Sequence, residues 1–117
     1  MKYLKFSNTV EMFRIPIEDI VFIKAEGNYS NIKLANGTEL SPIGQLHKFV
    51  DIFSNMREEC FVRVGKSLVV NKNYIYSLNI NTQMLLIRNH HLSTEFKVKV
   101  SREALKELKA ALETEKD

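Results

Sequence analysis

Cysteine is almost missing from this chain: the 117 residues contain one, Cys60. An internal disulfide is therefore impossible, and a reducing cytoplasm is the natural setting. Cys60 precedes Phe61 and Val62 and reads as a buried small hydrophobe rather than a reactive thiol. Glycine and proline are scarce too, four and two residues, and no linker, repeat or low-complexity tract divides the chain. Residues 1–117 are expected to form one domain, a length within the usual range of roughly 100–150. No run approaches the ~18 apolar residues of a membrane helix. The opening MKYLKFSNTVEMF lacks the unbroken apolar stretch of a secretory signal. Without export, Asn28-Tyr29-Ser30 and Asn36-Gly37-Thr38 carry no meaning as glycosylation patterns.

Catalytic and metal-binding equipment is equally thin. Gly65-Lys66-Ser67 looks like the end of a phosphate-binding loop, but that motif needs a glycine where Cys60 stands, and a helix afterwards. Leu68-Val69-Val70 is strand-like instead. His90 and His91 are adjacent, so on a strand they point to opposite faces. His47 has no partner at helical spacing, and one cysteine supplies no thiolate cluster. Ser67 has no histidine near it in sequence, and the three histidines suggest no acid–base dyad. The expectation is a protein with no catalytic residues, no metal, no cofactor and no small-molecule substrate.

What the chain does have is a local surplus of cations. Net charge is only +3, which favours a polyanionic partner weakly. The acids, however, gather at Glu11, Glu18-Asp19, Glu58-Glu59 and the tail from Glu103 to Asp117. From Cys60 to Arg102 one acid, Glu95, faces Arg63, Lys66, Lys72, Arg88, Lys97, Lys99 and Arg102. That asymmetry suits a phosphate-facing surface.

The hydropathy pattern is mostly that of short strands. Tyr3, Leu4 and Phe6 open one; Met12, Phe13 and Ile15 belong to the next, which Pro16 should end. Ile20 to Ile23 is a continuous apolar run, as in a strand covered on both faces. Glu26 to Ser30 is a turn-forming cluster. Asn31 to Leu34 alternates, and Asn36-Gly37 is a hairpin signal before Glu39-Leu40. Ser41-Pro42 resembles a helix start, with Ile43, Leu46, Val50 and Phe53 as its apolar stripe and Ser54-Asn55 as its end. Further strands are expected over Phe61–Val64, Leu68–Val70, Ile75–Ile80, Met84–Ile87 and Phe96–Val100. A second helix starts at Ser101 as N-cap, with Glu103 in its first turn and Leu105, Leu108 and Leu112 on one face.

Three stretches together resemble the signatures of the LytTR family of bacterial DNA-binding domains. They are Asp19-Ile20-Val21-Phe22-Ile23-Lys24-Ala25-Glu26-Gly27-Asn28-Tyr29, then Phe61-Val62-Arg63-Val64-Gly65-Lys66-Ser67-Leu68-Val69-Val70-Asn71, then Val100-Ser101-Arg102. The likeness runs from about Ile15 to Leu112. It implies a mainly β fold, an elongated stack of small, mostly antiparallel sheets with two short helices. It also implies a transcriptional regulator, typically the output domain of a two-component response regulator, whose loops enter successive major grooves of double-stranded DNA. By motif position the base contacts would come from Asn28, Tyr29, Ser30, Lys66 and Arg102. Arg102 suits guanine O6 and N7 bidentately, Lys66 the same acceptors, and Asn28 the edge of adenine. Arg63, Ser67, Lys72 and Lys99 would contact phosphates, which position without specifying. A second copy on repeated half-sites is the expected partner besides DNA.

Two departures stand out. Where the family usually carries histidine before the basic residue of the second signature, this chain has Gly65, so any contact made by that imidazole is absent or replaced. The family's receiver domain does not precede Met1, which leaves a stand-alone regulator or a piece of a longer chain. A rival reading, a protein-interaction module of a signalling system, would account for the acidic tail that DNA repels.

Overall fold

The computed structural model describes residues 2–88 and 95–115; the expectation for His90 and His91 falls outside them. At the amino end, β1 (Tyr3–Ser7) and β2 (Met12–Pro16) pair antiparallel into a ribbon, with Leu4 opposite Ile15 and Lys5 opposite Arg14. Cross-strand partners share a face, so Leu4 and Ile15 go under while Lys5 and Arg14 stay exposed. Pro16 is the last residue of its strand, where a missing N–H costs least.

The centre is a five-stranded antiparallel sheet. It contains β3 (Ile20–Glu26), β4 (Tyr29–Leu34), β5 (Glu39–Leu40), β6 (Phe61–Val64) and β7 (Leu68–Asn71), in the order β5-β4-β3-β7-β6. Both faces are covered, and the apolar residues divide between them. Ile20, Ile23, Ile32 and Val69 join one core; Val21, Phe22, Leu68 and Val70 join the other. The run Ile20 to Ile23 is buried throughout, as its uninterrupted apolar character predicts, and a register shift between Ile20 and Phe22 breaks strict alternation.

Against the first face lie the β1–β2 ribbon and α1 (Leu46–Asn55), which contributes Leu46, Phe49 and Phe53. Against the second lie β8 (Ile75–Asn79), β9 (Met84–Ile87), β10 (Phe96–Lys99) and α2 (Arg102–Glu113), with Leu85, Ile87, Leu105 and Leu108 buried. Each such fully buried Leu or Ile stabilises by about 1.5–3 kcal/mol relative to exposure. Among the described residues the result is mainly β, three small antiparallel sheets with two helices, elongated at 44 × 29 × 27 Å. Ser101 caps α2, its Oγ accepting from Ala104 N at 3.2 Å. The Asn36-Gly37 turn forms as expected, with Leu34 N donating to Thr38 O and Gly37 at φ +89°.

The start of α1 differs from the sequence reading. The helix begins at Leu46 behind Gln45, not at Ser41-Pro42. Residues 41–45 run extended beside β4, because distant partners claim their backbone. Ser30 N donates to Pro42 O at 3.2 Å, Gly44 N donates to Asn28 O at 2.8 Å, and Ile43 bridges Tyr29. Ile43, expected on the helix's apolar stripe, is instead 65% exposed.

Candidate nucleic-acid interface

The three signature segments meet because of strand direction. β3 ends at Glu26 and turns through Gly27-Asn28 into β4, with Glu26 opposite Tyr29. Gly27 sits at φ +59°, in the first central position of this two-residue turn, where glycine is favoured. β7 runs antiparallel to β3 with Leu68 opposite Lys24, so the β6–β7 turn, residues 65–67, emerges at the same end of the sheet. Ala25 N donates to Ser67 O at 2.8 Å and ties the two turns together. α2 arrives from the second layer: a Cβ at Gly65 would stand 3.4 Å from the Ala104 Cβ, one turn into that helix. Across the sheet end the sequence of segments is therefore 41–45, the Gly27-Asn28 turn, the 65–67 turn and the start of α2.

Asn28, Lys66 and Arg102 are all exposed at this end, and Tyr29 beside Asn28 is 48% exposed. Between the β6–β7 turn and the start of α2 lies a cleft of about 170 Å³ whose lining includes Lys24, Lys66, Ser67, Lys99 and Ser101. Among the described residues, no ion pair engages Lys24, Lys66, Lys99 or Arg102. Three ammonium groups around one cleft favour an anion there. The neighbouring groove, about 530 Å³, mixes Lys24, Lys97 and Lys99 with Glu26, Glu39 and Glu95, so its field is close to balanced. Motif position assigns Lys24 no contact. Its signal was an exposed cation on the strand directly after a fully apolar run.

Two expected contacts are not brought to this surface. Ser30 is completely buried and its Oγ donates to Gly44 O at 2.7 Å; no base edge can reach it, and its work is to hold the 41–45 segment. Lys72 follows the far end of β7, and its Nζ donates to Glu115 Oε1 at 2.6 Å. A cation already paired at the opposite end of the sheet is not a phosphate contact for this surface. Arg63 is exposed, and its Nη2 donates to Lys66 O at 3.0 Å, fixing the turn that presents Lys66. Gly65 has φ +67°, a left-handed backbone that side chains resist. The turn's geometry and its approach to Ala104 both accommodate glycine there.

Elsewhere the chemistry is quiet. Cys60 is half-buried; burial, with the Glu58 carboxylate beside it, pushes its thiol up to about 12. A thiol held so far from ionisation is a poor nucleophile. Among the described residues no group of three or more His, Cys, Asp or Glu could hold a metal, and no helix is long and apolar enough to cross a membrane.

A mainly β module that gathers basic and polar loops at one end of a sheet, where among the described residues Lys24, Lys66, Lys99 and Arg102 form no ion pair, has the features expected of a nucleic-acid-binding class. Comparison with known proteins gives the particular family. The family model of the LytTr DNA-binding domain matches residues 10–113, and the chain belongs to that family. It is thus a DNA-binding domain of transcription regulation, and the family is not an enzymatic one. The chain is also similar in structure to one described as the LytTr DNA-binding domain of a methyl-accepting/DNA response regulator from Bacillus cereus. The TM-score is 0.67 at 16% identity, over 96% of this chain and 97% of that one. At that identity the likeness concerns the fold. No curated protein sequence matches the chain.

Proposed function

We propose that residues 1–117 act as one unit that reads duplex DNA sequence-specifically from the major groove, through loops rather than a recognition helix. The observation that carries this reading is the convergence of Asn28, Lys66 and Arg102 at one end of the central sheet, beside a cleft ringed by Lys24, Lys66 and Lys99. Asn28 reads adenine; Lys66 and Arg102 read guanine acceptors; Tyr29 contributes its hydroxyl or its ring. Lys24, Lys99 and Ser67 hold backbone phosphates and set the register. With strands about 4.8 Å apart, the centres of the two hairpin turns stand about 10 Å from each other. Asn28 and Lys66 then serve bases about three steps apart within one groove about 12 Å wide, and Arg102 reaches beyond them.

A single module of this size has a limited interface, on the order of 600–1,000 Å², so two copies on repeated half-sites give the working affinity. The protein acts in the bacterial cytoplasm as the output element of two-component signalling, with no cofactor and no small-molecule substrate. An interaction module would need one contiguous apolar patch. Among the described residues the large exposed apolar ones are instead dispersed: Val10 and Met12 on the ribbon, Tyr76 on β8, and Tyr29 with Ile43 at the proposed DNA-facing end. Selection of bound sequences from a randomised duplex pool tests the proposal. A defined motif that the Arg102→Ala variant relaxes at one position supports it; enrichment of no sequence overturns it.

A further inference from the structure

Among the described residues, Ile43 is the one aliphatic side chain at this sheet end whose exposure, 65%, no packing explains. The apolar stripe of α1 closes without it, through Leu46, Phe49 and Phe53. Its position is not loose. Ile43 forms an antiparallel bridge with Tyr29, and its neighbours are fixed by Ser30 N to Pro42 O, Ser30 Oγ to Gly44 O and Gly44 N to Asn28 O. Bridged residues share a face, so Ile43 stands on the same side as the exposed Tyr29 and next in line to Asn28. A rigid, solvent-facing aliphatic group beside a residue suited to adenine is out of place on a surface that otherwise offers polar atoms.

We propose that Ile43 is a specificity-determining residue that packs on the 5-methyl group of a thymine. The inference rests on the DNA-reading function proposed above and assigns one further contact to it. In the major groove the thymine methyl is the single apolar group that a base pair presents. An A·T pair, or two adjacent ones, satisfies both residues: Asn28 takes the adenine edge, and Ile43 covers the methyl of the thymine alongside. Tyr29, sharing the bridge, closes the other side of the methyl from water.

Replacing thymine by deoxyuridine, one position at a time in the selected site, removes that methyl and nothing else. The wild-type chain is expected to lose about four-fold in affinity at one position, the worth of burying a single methyl group. Ile43→Ala binds the thymine and deoxyuridine duplexes equally and loses its preference at that position alone, while Ile43→Val keeps the discrimination. Melting temperatures of both variants match the wild type, because the side chain is exposed. Indifference of the wild-type chain to every deoxyuridine overturns the inference, as does an equal loss in wild type and Ile43→Ala, which would hand the methyl to another residue. Ile43→Ala weakening the cooperation of two copies, with deoxyuridine sensitivity intact, also overturns it and makes the residue a contact between copies. A wild-type chain that selects no sequence at all brings down the DNA-reading proposal itself, a result distinct from each of these.

Discussion

The two ends of the central sheet are built from similar residues and differ in how those residues are paired. At the end where β3 begins and β7 finishes, cations and polar side chains are spent on the protein itself. Lys2 pairs with Glu58 at 3.5 Å, and Lys72 with Glu115 at 2.6 Å. The buried Asn71 donates its Nδ2 to Ile20 O at 3.0 Å, and Tyr74 Oη donates to Glu18 O at 2.6 Å. At the other end, among the described residues, Lys24, Lys66, Lys99 and Arg102 form no ion pair, although Glu26, Glu39 and Glu95 share a groove with Lys24 and Lys99. The lesson is that cation count says little and pairing says much: one end is knit together by its charges, and the cations of the other are those that the proposed function assigns to DNA.

Variants at each end can sharpen this contrast. The largest expected effect is on folding: Asn71→Ala removes the bonds its buried side chain makes to Ile20 O and the Asn73 N–H. Urea unfolding should show a loss of about 1–3 kcal/mol, with the selected DNA motif unchanged in the folded fraction. Arg102→Ala is the mirror case. It should cost about 1–3 kcal/mol of binding to the best site in a titration and leave the melting temperature alone. A drop in stability comparable to that of Asn71→Ala would erase the distinction between the ends.

Smaller effects divide the lysines. Lys24→Ala and Lys99→Ala should each lower the slope of log affinity against log salt by about 0.9. Lys72→Ala should leave that slope unchanged and shift stability by at most about 1 kcal/mol, as its partly exposed ion pair dictates. An altered slope for Lys72→Ala would move the interface to the wrong end of the sheet. The smallest signal is kinetic. Because the Cys60 thiol is pushed up to about 12, alkylation at pH 8 should be far slower in the folded chain than in urea. Equal rates would mean that the packing around it opens readily.

Much of the architecture was legible locally. Strands with apolar residues on one or both faces, the Asn36-Gly37 turn and the Ser101 cap each follow from residues within a few positions. The errors share one cause, which is that the deciding partner lies far along the chain. Ser41-Pro42 has the chemistry of a helix start, yet Ser30 and Asn28 take the backbone groups that a helix would have used. Ser30 sits in a polar turn cluster, and its residue type does not disclose that Gly44 O waits 2.7 Å away. Lys72 and Lys99 look equivalent in a basic stretch; strand direction alone sends one to the closed end and the other to the cleft. Motif order puts Asn28, Lys66 and Arg102 forward, and the fold leaves all three exposed at one end of the sheet; Lys24 joins them only through the pairing of its strand with Leu68.

The buried hydroxyl of Ser30 has one further result. By fastening the returning segment to the start of β4, it makes the Asn28 turn and its neighbour a single stiff unit before any DNA arrives. In the DNA-reading function proposed above, a surface fixed beforehand gives up little freedom on docking. Its association rate is then governed by encounter and orientation rather than by a wait for loops to rearrange.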